Sequence, residues 1–263
     1  MNTNRTQHTN GHPPKPDALH VAFVLDKSGS MQHLTRAVVA GFNEFLDELR
    51  KDGGDTLFTL TMFDTEFEHV HVATPLADVP PLAKTGYRPG GMTALFDAVA
   101  HAVIDTDKRL AAEGRGDDKV MVVVMTDGLE NSSTDFTAET IAELVAAYDE
   151  RPNWTFVYLG AAHGSLEDAR DAAGAMAFKR ANAMRWRADA ASARKSMVSL
   201  AAATKHRRGA AEMKTERLFA DAGQDEVDYR DDAPADAAAG KRSPITRRNI
   251  RDMFGPNGGR EGA

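Results

Sequence analysis

An aspartate followed at two-residue intervals by two serines, Asp26-Lys27-Ser28-Gly29-Ser30, stands directly behind the apolar run 20–25. An acid and two hydroxyls where a buried strand would end supply the oxygen donors that a hard divalent cation takes. Two later segments extend that donor set. Gly90-Gly91-Met92-Thr93 offers another hydroxyl, and Met125-Thr126-Asp127-Gly128 a second carboxylate, each at an equivalent strand-to-helix connection. The candidate metal ligands are therefore Asp26, Ser28, Ser30, Thr93 and Asp127. Taken singly, each has a plainer role, because Ser28, Ser30 and Thr93 could cap helices and the two acids could sit in turns. Their joint occurrence in this order favours the metal reading. Gly90-Gly91 reads either as loop punctuation or as a point where backbone approaches an ion closely.

The elements that must carry these loops follow from periodicity. Residues 20–25 are apolar nearly without interruption, as in a parallel strand covered on both faces. Leu34, Val38, Phe42, Phe45, Leu46 and Leu49 recur at helical spacing and predict a helix over about 33–51, ending before Gly53-Gly54. Strand-like runs at 56–63 and 67–73, joined by Asp64-Thr65-Glu66, predict a hairpin whose second strand is an antiparallel edge. A proline-containing connection over 75–89 leads to the Gly-Gly loop and a helix over 94–112, and the Val-rich run 119–126 is the clearest buried strand. A helix over 137–149, a strand over 154–159, a short helix over 166–173, a last strand near 175–178 and a helix over 188–204 complete the pattern. This alternation predicts an α/β domain with a doubly wound, mostly parallel open sheet and one antiparallel edge strand. In such a sheet ligands gather at the carboxyl ends of the strands, so Asp26 and Asp127 should project into that crevice.

A chain of 263 residues, 42% of them hydrophobic, can bury a full core. Residues 1–17, rich in Asn, Thr, His and Pro, read as a flexible lead-in, 18–204 as the domain, and 205–263 as a charged, disordered tail. Within that tail acids crowd 221–236, bases crowd 241–251 and glycine fills 255–262. A net charge of -7 and a pI near 5.7 argue against a nucleic-acid or membrane-surface protein. The lack of cysteine excludes disulfides and thiolate zinc sites and makes a reducing cytoplasm the default. No apolar run is long enough to span a bilayer, and residues 1–16 do not read as a signal peptide.

Other chemistry-bearing residues carry less. His69 and His71 fall on the same face of an edge strand, a spacing that could serve zinc, but no third ligand is evident. His163-Gly164-Ser165 follows a strand without the G-x-S-x-G frame of a nucleophile. Asp64 and Glu66 read as turn residues, Glu130 and Asn131 as rim residues, and Met176, Met184 and Met197 as core filling.

Asp26-x-Ser28-x-Ser30, Thr93 and Asp127 resemble, in order and loop position, the complete metal-ion-dependent adhesion site of von Willebrand factor A domains, and the likeness extends over about 19–204. Phe23-Val24-Leu25-Asp26, Gly41-Phe42-Asn43-Glu44-Phe45-Leu46, Gly91-Met92-Thr93-Ala94-Leu95, Thr126-Asp127-Gly128-Leu129-Glu130-Asn131 and Phe156-Val157-Tyr158-Leu159-Gly160-Ala161 look like the compact A-domain proteins of bacteria and phages. The resemblance implies a Rossmann-like fold in which Ser28, Ser30 and Thr93 ligate magnesium directly and Asp26 and Asp127 bind partly through water. Manganese or calcium would suit the same oxygens. It further implies one open position, completed by a Glu or Asp of another protein. The expectation is a cytoplasmic protein-binding module without chemistry of its own and without a membrane partner. One alternative is a metal-assisted phosphoester hydrolase or phosphotransferase built on Asp26, although Ser28 stands where a D-x-D motif has its second acid. The other is a nucleic-acid-associated scaffold using the basic segment 241–251, which the net charge disfavours.

Overall fold

Strand β1 (Leu19–Asp26) is buried along its whole length, because it lies at the middle of the sheet with a parallel neighbour on each side, β2 (Thr56–Phe63) and β4 (Lys119–Thr126). The computed structural model describes residues 18–161, 166–186 and 189–223. Among them six strands run in the order β3-β2-β1-β4-β5-β6, with β3 (Phe67–Pro75) antiparallel at one edge and β5 (Trp154–Ala161) and β6 (Ala183–Trp186) parallel beyond β4. The connections out of β1 and β4 leave at the point where the strand order diverges, the usual place for a ligand crevice in an open α/β sheet.

Alternation along each strand sorts the core into two layers. Val21, Phe23 and Leu25 of β1, with Met121, Val123 and Met125 of β4, pack on one face against α1 (Thr35–Arg50) and α5 (Ala190–Gly209). Ala22 and Val24, with Val120, Val122 and Val124, pack on the other against α2 (Leu95–Ala112) and α3 (Ala138–Asp149). Helix α1 presents Val38, Phe42, Phe45, Leu46 and Leu49 to the sheet, all buried, each worth roughly 1.5–3 kcal/mol in apolar surface removed from water. It lies so close to α5 that a Cβ on Gly41 would stand 3.2 Å from the Ala193 carbonyl oxygen. Helix α3 opens with a capping box in which Thr137 accepts from the Thr140 amide and Thr140 returns the bond.

The doubly wound sheet with its antiparallel edge is as expected, and Met176, Met184 and Met197 are core residues. The last strand and the end of the domain differ. The strand expected near 175–178 is instead the turn that closes α4 (Leu166–Ala175), where Ala177 takes φ +59° and the Phe178 amide bonds back to Ala173. The last strand is β6, four residues long with an arginine third, too short for alternation to announce it. Helix α5 does not stop at 204 but continues to Gly209, where Lys119 Nζ donates to the carbonyls of Arg208 and Ala210. Beyond it Met213, and Leu218 and Phe219 of the short α6 (Leu218–Asp221), join the core, so the packed unit reaches past residue 204. Residues 1–17, His163-Gly164-Ser165 and the charged stretch from 224 to 263 lie outside the described residues. No helix among the described residues is long and apolar enough to cross a membrane.

At the amino end of β1, His20 is buried between Asp118, 2.8 Å from its Nε2, and Arg109, 3.2 Å from its Nδ1. Arg109 can only donate, so Nδ1 accepts and Nε2–H donates to Asp118, which makes the ring neutral and the contact a hydrogen bond rather than an ion pair. Burial, with the arginine charges, lowers its pKa from 6.5 to about 4 against the pull of Asp118. An unfolded chain therefore binds this proton first, and the stability His20 contributes is full above pH 6.5 and lost as pH falls toward 4. Chemical denaturation across that window should show wild type losing about 3 kcal/mol relative to His20→Gln, and parallel pH profiles would contradict the assignment.

Candidate metal centre

All five candidate ligands meet at the carboxyl ends of β1 and β4. Asp26 closes β1 with its carboxylate fully buried, where Oδ1 accepts from the Ser28 amide at 2.6 Å and Oδ2 from the Thr126 hydroxyl at 2.5 Å. The chain then turns through Gly29–Leu34 as a short 3-10 helix, which carries Ser28 and Ser30 around the turn so that their hydroxyls stand 3.2 Å apart. Ser30 Oγ donates to Asp127 Oδ1 at 2.6 Å, joining the first loop to the third. Thr93 arrives from the second loop. A Cβ on Gly128 would lie 3.3 Å from Thr93 Oγ1 and 3.5 Å from Ser30 Oγ, so both hydroxyls crowd one bare stretch of backbone. The Thr93 hydroxyl has no hydrogen-bond partner among the described residues. Asp26, Ser28 and Thr93 form a buried floor, with Ser30 and Asp127 at the mouth.

Backbone hydrogen bonds lace the loops together: Gly29 N to Gly91 O at 3.1 Å, Gly90 N to Lys27 O at 2.8 Å and Ala94 N to Asp64 O at 2.7 Å. Gly91 is where this lacing demands glycine, since its φ is +73° and a Cβ would press to 2.9 Å from Thr65 Oγ1. Tyr87, from the proline-containing connection, is buried beneath the site and donates its hydroxyl to the Asp26 carbonyl at 2.5 Å.

Burial raises the Asp26 carboxyl to about 6, against the hydrogen bonds from Thr126 and Ser28 and with a further push from the Asp127 charge. Burial also raises Asp127, opposed by Ser30 and His33. Nearby basic groups are engaged elsewhere, Lys27 Nζ on Asp64 Oδ2 at 2.5 Å and His33 Nδ1 on the Ser30 carbonyl at 2.7 Å. Two carboxylates and three hydroxyls thus gather with no basic side chain bonded to either acid, a donor set that fits a hard divalent cation. His69, by contrast, engages Thr61 and Asp105, and no group of three or more His, Asp or Glu residues stands ready to hold a metal among the described residues.

No family model and no curated protein matches the sequence. Solved structures do. The von Willebrand factor domain of the type V pili tip protein Mfa5 from Porphyromonas gingivalis superposes with a TM-score of 0.50 at 13% identity, covering 71% of this chain and 96% of that one. This chain has the von Willebrand factor A fold. The pilus adhesin SpaC from Lactobacillus rhamnosus GG (TM-score 0.54, 16% identity, 75% of this chain and 30% of that) and the minor pilin PilB from Streptococcus sanguinis (0.51, 13%, 78% and 63%) are further structural neighbours. The chain spans under half the length of SpaC and of the mussel byssus protein PTMP1, of which it covers 46%.

Within this fold, sequence reasoning passed over Thr126, Tyr87 and Thr65, which hold Asp26 and the Gly-Gly loop in place. Glu130, expected at the rim, is buried. Asp64 and Glu66 do form the β2–β3 turn, and Asp64 also reaches the site loops through Lys27 and the Ala94 amide.

Proposed function

We propose that this A-domain is a divalent-cation-dependent protein-binding module without chemistry of its own. In this reading Asp26, Ser28, Ser30, Thr93 and Asp127 hold magnesium, or manganese or calcium in its place, and a Glu or Asp of a partner protein completes the coordination. The observation that carries it is the meeting of three hydroxyls and two carboxylates from three loops at one point. A site whose donors are mostly neutral leaves the ion's charge incompletely balanced, and an incoming carboxylate balances it.

The mouth supports a protein as the source of that carboxylate. Met92, beside Thr93, is 50% exposed and Leu129, two residues after Asp127, is 41% exposed. Apolar side chains flanking a charged centre suit a protein surface, with an acid set among apolar neighbours, better than a free anion. The hydrolase reading requires Asp26 as nucleophile, yet Asp26 is fully buried with both oxygens accepting hydrogen bonds, and so is not presented to a phosphorus atom.

The test is partner capture from the native host on immobilised protein, with and without EDTA. Magnesium-dependent capture that is lost in Thr93→Ala is the expected result. Capture indifferent to both EDTA and the substitution would contradict the proposal.

A further inference from the structure

Thr93 is held by both side chain and backbone of the loop that carries Asp127. Its amide donates to Asn131 Oδ1 at 2.8 Å, and its carbonyl accepts from the amides of Asn131 at 3.0 Å and Ser132 at 3.3 Å. The segment making these bonds is folded around one buried carboxylate. Glu130 Oε1 accepts from the amides of Ser132 and Ser133, each at 2.7 Å, while Oε2 accepts from Ser133 Oγ at 2.7 Å and from the Phe96 amide at 3.0 Å. Phe96 stands in the first turn of α2, three residues past Thr93, so Glu130 ties the start of that helix to the loop after β4. Asp97 repeats the device in the opposite direction: its carboxylate accepts from the amides of Thr134, Asp135 and Phe136, and its own amide donates to Ser133 Oγ at 3.1 Å.

We infer that Glu130 and Asn131 are positioning residues that lock Thr93 against the loop that carries Asp127, setting metal affinity without touching the ion. This rests on the metal reading above. Hydrogen-bonded partners behind a metal's ligands typically govern 10- to 100-fold in affinity, and here the turn of chain that follows Asp127 orients Thr93 of another loop. Glu130→Gln keeps the volume but replaces one acceptor oxygen with an NH2 group, which cannot accept from the two donors that face either oxygen of Glu130. Asn131→Ala removes the acceptor for the Thr93 amide at an exposed position, without opening a cavity in the core.

The experiment is manganese titration of wild type, Glu130→Gln, Asn131→Ala and a control, Asp107→Ala, with water-proton relaxation reporting the waters on the bound ion. Asp107 ties Tyr148 and Arg151 together away from the site, so its loss reports on stability alone. Both positioning variants should bind manganese about 10- to 100-fold more weakly and leave the bound ion with additional water in place of the displaced Thr93 hydroxyl, while the control keeps wild-type affinity. Wild-type affinity and hydration in Glu130→Gln and Asn131→Ala would overturn the inference while leaving the metal site standing. Absence of manganese binding in wild type would overturn the proposed function itself, and the inference with it.

Discussion

Asp26→Asn is expected to make the metal-free protein more stable at pH 7 while abolishing its magnesium binding. Burial raises the Asp26 carboxyl from 3.8 to about 6. A folded state that holds this proton more tightly than the unfolded chain is penalised as the group ionises. The penalty is absent below pH 3.8, grows as pH rises through the window to about 6, and is complete above it. At neutral pH it amounts to about 3 kcal/mol, which the neutral amide avoids. The amide also fits: its oxygen can keep the Ser28 amide, and its nitrogen can donate to Thr126 Oγ1, whose own proton can turn to the Gly128 carbonyl 3.4 Å away. Urea unfolding in EDTA from pH 4 to 7 should show the variant gaining on wild type as pH rises, while calorimetric titration shows magnesium binding lost. A variant less stable than wild type at pH 7 in EDTA would show that Asp26 is not an uncompensated charge. On the proposed metal reading, this position trades stability for a ligand, and a bound cation would restore what burial costs.

Phe23→Ala is expected to destabilise the protein by about 3–5 kcal/mol. Phe23 is fully buried at the middle of β1, its ring 5.3 Å from Phe42, 5.7 Å from Phe45 and 6.2 Å from Phe58. The four rings join β1, β2 and α1 into the aromatic centre of one core layer, and removing the central one leaves a cavity its neighbours cannot close without leaving their own contacts. Thermal or chemical unfolding measures the loss, and a cost under about 1 kcal/mol would mean that the layer repacks. Because Phe23 lies three residues before Asp26 on the strand that delivers it, loosening this layer should also blur the site.

What the sequence made legible was what periodicity and local chemistry encode. Runs such as 119–126 are apolar on both faces because both faces are covered, and the five candidate oxygen donors stand out because Asp26, Ser28, Ser30 and Asp127 lie where β1 and β4 give way to their loops and Thr93 lies just before α2. What stayed hidden depends on contacts between distant segments. Tyr87 reaches Asp26 across 61 positions, and Thr126 reaches it across 100. Glu130 reads as an exposed loop acid until the amides of Phe96, Ser132 and Ser133 are seen to surround it. Strand β6 was obscured by its length, and the end of α5 by its charge: His206, Arg207 and Arg208 read as the start of a polar tail, although cations in a last turn are what a helix's carboxyl end favours. Met213, Leu218 and Phe219 are isolated apolar residues in a polar stretch, with no period to reveal that they join the core.

The central claim is that three hydroxyls and two carboxylates at the ends of β1 and β4 grip one hard cation. Crystals grown in manganese and measured at an anomalous-scattering wavelength test it most directly. The account predicts one strong peak within ligand distance of the Ser28, Ser30 and Thr93 hydroxyls and on the Asp26 and Asp127 side. A map with no peak there at saturating manganese, or with the three hydroxyls turned apart, would contradict it.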